Sequence, residues 1–455
     1  ASPAMIETMD ARHKVASLLA CCLILMPGAS QIAPAWAMAA GTRAATMHTV
    51  VLRHETRVSL ARVQAGYICL AIRGYSCLPL RWHGTRSVDI VDRDGVLFSN
   101  GKARLLDLRG MSAPKAITAI TTHSSTIETI ALGGNEKPGV VAALNRLSKK
   151  RLAVAYAVGW PGCSRSPQWR RVYRRVRALS IRRGYAIICP NLFPKLEHLI
   201  ISPSVHFEKL EELRRLPRFP RLRSLSLSFD SKGDRLARIL SQLRHLEILE
   251  LLTSRISSKA FLRVVALPKL RSLHLYGPRL EKGSCKHLKR ARDLTALEIR
   301  GGNCTSSQLL DFIKSAKGLR GLSLDPVPKS TAILRAIKAH TSLKHLALRR
   351  ARLGPSALLS LKRLKNLERL TISRVPGPAA NLSVLASLPK LEHLRLRGFK
   401  ALGDLRWLQR SRKLVSLQLA RVRPESINHL DLRPLKHLKW LRLSLPKTAK
   451  KPLRI

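Results

Sequence analysis

The stretch from Leu343 to Phe399, LKHLALRRARLGPSALLSLKRLKNLERLTISRVPGPAANLSVLASLPKLEHLRLRGF, carries one apolar pattern three times. An L-x-x-L-x-L triplet, with Ile once in its last place, begins at Leu343, at Leu367 and at Leu391, so that successive copies are 24 residues apart. Within each copy the last two apolar residues alternate with polar neighbours, as in a strand that buries one face. The stretch therefore predicts a short half-buried strand that returns once in every repeat.

The same triplet continues in both directions along the chain. Strong copies begin at Leu196, Leu222, Leu246, Leu270, Leu294, Leu319, Leu343, Leu367, Leu391, Leu414 and Leu438. Weaker copies are Ala103/Leu106/Leu108, Ile127/Ile130/Leu132, Leu152/Ala155/Ala157 and Val176/Leu179/Ile181. Together they predict about fifteen repeats between residues 103 and 447, each numbered below from the first residue of its triplet as position 1.

The rest of each repeat follows another period. Apolar residues recur at intervals of three, for example Leu358, Leu361 and Leu364, which indicates one face of a helix or 3₁₀ segment. A single repeat cannot bury its leucines, whereas stacked repeats bury them against each other beneath one parallel sheet. Because strands stack at ~4.8 Å and helices need more room, we expect the strands on the concave side.

These triplets resemble those of the leucine-rich-repeat family, in its short class with helices on the outer side. The resemblance implies an α/β solenoid, a horseshoe with a concave parallel β-sheet and convex short helices. One departure concerns position 9, where the family commonly has Asn. Here the residues at that position include Val327, Ala351, Val375 and Phe399, so the backbone groups of these turns need other partners.

The ends of the chain do not follow the repeat. Arg12 and Lys14 precede an apolar run over residues 15–26, and Ala35-Trp36-Ala37 follows it. These are the parts of a secretory signal, and the run is shorter than the ~20 residues that cross a bilayer. We expect a signal peptide at residues 1–37, an N-terminal cap or flanking region at 38–100, the solenoid at 101–447 and a basic tail at 448–455. A separate binding module is the alternative interpretation of 38–100.

Export implies a secreted, periplasmic or cell-surface protein without an integral membrane span once the signal is cleaved; an intracellular or organellar location is the alternative. The cysteines bear on the same question. Cys163 and Cys189 fall at positions 12 and 14 of adjacent repeats, which predicts a disulfide between them in an oxidising compartment. Buried free thiols are the alternative.

Charge limits the class of partner. The chain has 83 Lys and Arg against 27 Asp and Glu, a net charge of +56, and is therefore attracted to anionic proteins, polymers or lipids. The inferred concave face becomes basic toward the C-terminus. We predict a ligand-binding face there, formed by Arg349, Arg350, Arg369, Arg374, Arg395, Arg397, Arg421, Lys439 and Arg442.

Motifs of catalysis are missing from the sequence: it has no phosphate-binding Gly-rich loop, no H-E-x-x-H and no G-x-S-x-G. Three histidines share position 3, namely His198, His345 and His393, and we expect them to be exposed and too far apart to ligate one metal ion. The sequence thus predicts no catalytic residues, no metal site and no cofactor.

The favoured function is a non-enzymatic protein-interaction scaffold, exported, that binds an acidic protein or an anionic polymer on its concave face. Two alternatives stay open: an intracellular substrate-recognition subunit of a ubiquitin ligase, and a basic scaffold of a ribonucleoprotein. Nucleic acid is attracted by charge alone, but the only aromatics placed on this face are Tyr276, Phe229 and Trp440. So few stacking side chains argue against a dedicated reader of bases.

Overall fold

The computed structural model describes most of the repeats and less of the N-terminal region. The described residues are 49–50, 59–64, 67–71, 79–81, 90–93, 96–99, 102–108, 111–127, 129–132, 137–147, 151–156, 167–181, 184–185, 189–201, 205–206, 210–229, 233–253, 255–277, 279–328, 330–353, 356–373, 381–399, 402, 405–420, 432–438 and 440–444.

Short strands and short helices alternate along the chain. The strands are β1 (Thr49–Val50), β2 (Ser59–Gln64), β3 (Tyr67–Ala71), β4 (Pro79–Arg81), β5 (Ile90–Arg93), β6 (Val96–Ser99), β7 (Lys102–Asp107), β8 (Thr129–Leu132), β9 (Arg151–Tyr156), β10 (Val176–Ile181), β11 (Gly184–Tyr185), β12 (His198–Ile201), β13 (Val205–His206), β14 (Ser224–Phe229), β15 (Ile248–Thr253), β16 (Arg255–Ile256), β17 (Ser272–Tyr276), β18 (Arg279–Leu280), β19 (Ala296–Arg300), β20 (Gly321–Asp325), β21 (His345–Arg349), β22 (Arg369–Ser373), β23 (His393–Arg397), β24 (Ser416–Ala420) and β25 (Trp440–Ser444).

The helical segments are of two kinds. The α-helices are α1 (Ala113–Thr122), α2 (Pro138–Arg146), α3 (Pro167–Tyr173), α4 (Gly233–Leu240), α5 (Ser258–Val265), α6 (Ser306–Ser315) and α7 (Ser330–Ile337). The 3₁₀ helices are Pro190–Leu192, Leu210–Arg218, Ser284–Arg290, Ala357–Arg363, Leu382–Ser387 and Arg406–Arg410.

The chain forms two compact units. The first unit contains Glu55–Glu208 and Phe219–Arg221, and the second contains Thr42–His54, Lys209–Arg218 and Leu222–Ile455. In the first unit, β7, β8, β9, β10 and β12 pair in this order as parallel strands. The hairpin β5–β6 continues that sheet beyond β7 in antiparallel sense, and β2, β3 and β4 form a small antiparallel sheet. These strands lie mostly in the predicted cap at residues 38–100, whose role stays a prediction, as do the other predicted domain limits.

The second unit contains the longest regular stretch of repeats. β14, β15, β17, β19, β20, β21, β22, β23, β24 and β25 each pair in parallel with the next strand. The register joins identical positions of successive repeats, for example Leu346 with Leu370 and Leu370 with Leu394. These three leucines are at most 2% exposed. The predicted register of the strong triplets, and with it the solenoid fold, is confirmed.

The helical side of the second unit follows the predicted period. Each helical segment from α4 to Arg406–Arg410 contacts the one in the next repeat. The α-helix α6 buries Leu309, Phe312 and Ile313, and the 3₁₀ helix Ala357–Arg363 buries Ala357, Leu358 and Leu361. Intervals of three and four occur in both segments, as expected for one buried face of a helix.

One weak repeat was placed in the wrong register. The sequence assigned Leu152, Ala155 and Ala157 to the inward positions, but Ile130 pairs with Leu152 and Leu132 pairs with Val154. The register shifts again between β9 and β10, where Leu179 stands opposite Val154. Leu152 and Val154 thus stand opposite positions 4 and 6 of the preceding repeat, whereas Val154 stands opposite position 4 of the following repeat.

The backbone groups in the turns after the strands are hydrogen-bonded without a row of Asn side chains at position 9. Position 8 is left-handed in four repeats, at Gly277, Gly301, Arg350 and Gly398. At Gly277, Gly301 and Arg350 the N–H donates to the carbonyl at position 7 of the next repeat, for example from Gly301 to Asp325 at 2.6 Å and from Arg350 to Ser373 at 2.8 Å. Bonds between repeats thus satisfy groups that a side-chain amide satisfies in the family.

Among the described residues, no helix has both the length and the apolarity needed for crossing a bilayer.

Candidate functional site

The candidate site lies on the sheet face of the second unit, defined here as the side chains at positions 3, 5 and 7 of its repeats. These positions alternate with the inward leucines, so each strand contributes three side chains to the face. In β21 they are His345, Ala347 and Arg349, which are all partly accessible, whereas Leu346 and Leu348 are buried. Parallel in-register pairing then aligns the three positions into rows across the strands.

A buried carboxylate organises one part of this face. Glu298 is 8% exposed. Its Oε1 accepts hydrogen bonds from Nε of Arg300 at 2.7 Å and from the hydroxyl of Ser323 at 3.2 Å. Its Oε2 accepts one from the hydroxyl of Tyr276 at 2.8 Å and lies 3.1 Å from Nδ1 of His274. We call these five residues the glutamate network. A carboxylate with this many donors is well compensated for its burial.

Ser272 extends the glutamate network into an arrangement typical of hydrolases. Its hydroxyl lies 2.7 Å from Nε2 of His274, whose Nδ1 faces Glu298. The connectivity is that of a nucleophile, a base and an acid. However, Ser272 is only 3% exposed, and its N–H donates to the carbonyl of Glu247. Because the hydroxyl is covered and this N–H is used by the stack, the row offers a substrate neither an open nucleophile nor this N–H as an oxyanion donor.

Two of the arginines predicted to bind a ligand are already paired with carboxylates. Nη1 of Arg349 lies 4.0 Å from Oε1 of Glu298, two strands away. Nε of Arg350 donates to Oδ1 of Asp325 at 2.6 Å. Part of the predicted basic face is therefore neutralised within the protein.

Three other arginines form what we call the arginine cluster: Arg369 on β22, and Arg395 and Arg397 on β23. Arg369 stands opposite His393, and Arg395 and Arg397 stand opposite Thr371 and Ser373. Burial lowers the pKa of Arg369, an effect that the carboxylates of Glu368 and Glu392 oppose. An arginine remains charged under these conditions, so the cluster presents positive charge from two adjacent strands.

The histidines of position 3 were predicted to be exposed, and this is wrong. His198, His345 and His393 are only partly accessible. His345 and His393 stand on either side of Arg369 in one row. Burial first, and then the positive charge of Arg369, lower the pKa of each of these two histidines to about 3. Both rings are neutral at physiological pH, because close strand spacing covers side chains that a single strand would expose.

The other predicted site residues fall outside what the structure describes. Arg374, Arg421, Lys439 and Cys163 belong to undescribed stretches, and Arg442 is placed only by its backbone in β25, opposite Gln418. Cys189 forms a disulfide, so its pairing with Cys163 stays a prediction. A second disulfide that the sequence analysis did not identify joins Cys285 to Cys304.

The glutamate network was also missed, although the sequence carried a signal. His274 and Glu298 both occupy position 5 and are 24 residues apart, so a row-by-row alignment of the repeats would have placed them side by side. Within the described ranges, His, Cys, Asp and Glu side chains do not assemble in groups of three or more that could hold a metal ion.

Neither a family model nor a curated protein sequence matches the chain. Similar solved structures include an internalin from Listeria monocytogenes, with 15% identity over 74% of this chain and 77% of that chain and a TM-score of 0.34. A leucine-rich-repeat protein of Leptospira interrogans has 15% identity over 69% of this chain and 89% of that chain, with a TM-score of 0.41. The structure of TLR13 in a complex with ssRNA13 has 17% identity over 75% of this chain and 60% of that chain, with a TM-score of 0.31.

Likenesses at this level of identity concern the fold alone, and the assignment of the chain rests on its own repeats. The L-x-x-L-x-L triplet recurs along the sequence, its inward residues are buried, and its strands pair in register from one repeat to the next. On these grounds the chain has the leucine-rich-repeat fold.

Proposed function

We propose that the chain is an exported, non-enzymatic scaffold that binds an acidic segment of a partner protein at the arginine cluster. A leucine-rich-repeat sheet presents a broad array of side chains on a rigid backbone, which suits the binding of another protein. The partner's carboxylates would meet the guanidinium groups of Arg395 and Arg397, with Arg369 beside them. Arginine suits this role because its planar fork can hold a carboxylate by two hydrogen bonds.

The observation that carries the proposal is a change of charge along the sheet face. From β14 to β20, positions 3, 5 and 7 include the carboxylates Glu250, Glu298 and Asp325. From β21 to β24 the same positions include arginines and no carboxylate. The nearest acids of this second part, Glu368 and Glu392, occupy position 2 at the rim, where Glu368 accepts from Nζ of Lys344 at 2.7 Å.

The neutral histidines support the same interpretation. Since the pKa values of His345 and His393 are about 3, these rings add hydrogen-bonding groups beside Arg369 without adding charge. Nδ1 of His345 is buried and has no hydrogen-bond partner within the described residues. A protein ligand with polar groups beside its carboxylates would complement such a surface.

Export is supported by two features. The N-terminal sequence has the parts of a secretory signal, and the disulfide between Cys285 and Cys304 is of a kind that persists in oxidising compartments.

The test is the binding of a fluorescein-labelled, glutamate-rich peptide, followed by anisotropy. The double variant Arg395→Gln/Arg397→Gln should weaken binding by about tenfold or more, which corresponds to ~1.4 kcal/mol. Its matched control is Arg335→Gln/Lys362→Gln, which removes two exposed cations from the helical side. The control should change the affinity by less than about twofold. Equal losses in both variants would show that only bulk charge attracts the peptide.

A further inference from the structure

A second charged surface lies away from the sheet face, at the edge where the parallel strands begin. In the second unit a two-residue turn precedes each triplet. We call the row of these turns the amino edge; it comprises residues 244–245, 268–269, 292–293, 317–318, 341–342, 365–366, 389–390, 412–413 and 436–437. Because the strands are parallel and in register, all these turns lie at one end of the sheet.

Cations recur along the amino edge. Its Lys and Arg residues are Arg244, Lys269, Arg292, Lys317, Lys365, Lys390, Arg412, Lys413 and Lys436. Every turn except 341–342 contains at least one of them, and all of them except Lys390 are exposed. Asp293 is the one acidic residue in these turns, and it lies 3.9 Å from Nη1 of Arg271. The row is therefore almost uniformly positive.

The row is regular as well as positive. Adjacent turns touch: Nζ of Lys269 lies 3.2 Å from Nδ1 of His245, and Nδ2 of Asn366 donates to the carbonyl of Thr341 at 3.0 Å. Successive turns must follow the strand spacing of ~4.8 Å. Each of these turns from 244–245 to 412–413 also follows the C-terminal end of a helical segment, where the helix dipole favours a cation. This local preference places cations in most of the turns, and stacking then adds them into a line.

A cavity on the helical side widens the positive surface next to Arg292. It is lined by Lys289, Arg290, Arg292, Asp311, Lys314 and Ser315. The disulfide between Cys285 and Cys304 joins the 3₁₀ helix Ser284–Arg290 to the segment that leads into α6. Both helical walls of the cavity are thus tied together by a covalent bond.

We propose that the amino edge binds the phosphate backbone of a double-stranded nucleic acid without reading its sequence. A regular line of cations fits a regular line of anions better than it fits an acidic protein, whose carboxylates are irregularly placed. A nucleic acid duplex offers about one negative charge per ~1.7 Å of its axis. The turns of the amino edge contain no Phe, Tyr or Trp, so the stacking that retains single strands is missing and contact is with the backbone.

The experiment measures how the affinity for a labelled duplex DNA of mixed sequence depends on salt, by anisotropy between about 50 and about 300 mM NaCl. The edge variant is Lys269→Gln/Arg292→Gln/Lys317→Gln/Lys365→Gln. The matched control is Arg235→Gln/Lys259→Gln/Arg335→Gln/Lys362→Gln, which removes the same charge from exposed residues of the helical side. Thermal melting of both proteins verifies that the fold is retained.

The slope of log K against log salt is negative, and each phosphate contact that is lost reduces its magnitude by about 0.9. The edge variant, which removes four cations, should therefore reduce the magnitude of the slope by up to about 3.6, and the control by less than about 1. Equal losses, or an unchanged slope in the edge variant, would overturn the proposal. Heparin serves as a second probe: if only heparin binding, and not duplex binding, depends on the edge residues, the edge takes a sulfated polysaccharide and the nucleic acid proposal is wrong. The arginine cluster is intact in both variants, so either result leaves the proposed function untouched.

Discussion

Two regions of one sheet face have the same backbone but carry different side chains: a carboxylate network in one and a cluster of arginines in the other. Around β17 to β20, Glu298 gathers His274, Tyr276, Arg300 and Ser323 into a buried network. Around β22 and β23, the arginine cluster occupies equivalent positions without a carboxylate among them. The strand register and the leucine core are alike in both regions. Arg300 and Arg349, the arginines beside Glu298, therefore serve as partners of the protein's own carboxylate.

The common core can be tested first, since the largest effect is expected there. Leu324 belongs to the first region and Leu394 to the second, and each is 1% exposed. Leu324→Asp and Leu394→Asp should each lower the free energy of unfolding by about 4 kcal/mol or more, because each buries an unpaired charge. Urea denaturation measures the loss.

The control for these variants is Leu359→Asp. Leu359 is 52% exposed on the helical side, so this change should stay within about 0.5 kcal/mol of wild type. A marked difference between the two core variants would show that the regions do not share one kind of core.

The second test removes the carboxylate that distinguishes the regions. Glu298→Ala should lower the free energy of unfolding by about 3 kcal/mol, because it leaves buried donors and a partly buried guanidinium without their acceptor. Asp311→Ala, at an exposed position, is the control and should stay within about 0.5 kcal/mol. The variant should also bind the glutamate-rich peptide more tightly, because Arg300 and Arg349 lose a partner. Unchanged stability would mean that the network is not what holds this region.

The smallest expected effect concerns the neutral histidines beside Arg369. The folded pKa of His345 and of His393 is about 3, well below the ordinary value of 6.5. Between these two values the unfolded chain binds more protons, so stability falls as the pH falls. The two histidines together should account for a loss of about 2 kcal/mol from about pH 6 to about pH 5.

Denaturation of wild type and of His345→Gln/His393→Gln at both pH values checks this prediction. The variant should lose less stability than wild type over the same interval, because glutamine does not titrate. If both proteins show the same pH dependence, these two histidines are not shielded from protons in the folded state.

The core of the fold follows from the sequence, because one repeated pattern carries it. The inward leucines of the strong triplets identify the strands and their register, whereas the intervals between apolar residues predict a helical segment without deciding between the α-helix α6 and the 3₁₀ helix Ala357–Arg363. The predicted register of the weak repeat at β9 is wrong. Ala155 and Ala157 match the spacing of the triplet, but Leu152 and Val154 are the larger apolar residues of that strand.

The site was less predictable, because it depends on contacts across strands. Charge alone predicted that Arg349 binds a ligand. Its distance of 4.0 Å from Glu298 shows that it pairs with a carboxylate of the protein itself. The histidines of position 3 seemed exposed when each strand was considered singly. The disulfide between Cys285 and Cys304 joins positions 16 and 11 of adjacent repeats, so a search for equal positions does not find it.

Contacts other than strand pairing change how a stack of repeats comes apart. A solenoid opens from its ends, because each repeat is held only by the repeats beside it. Around β19 this simple order is interrupted: the pairing of Arg349 with Glu298 spans two strands, and the Cys285–Cys304 disulfide connects the segments on either side of the strand. Loss of structure that begins at β25 therefore reaches the arginine cluster before it reaches the Arg349–Glu298 pair and the Cys285–Cys304 disulfide. A partner bound at the arginine cluster would oppose loss of structure from that end.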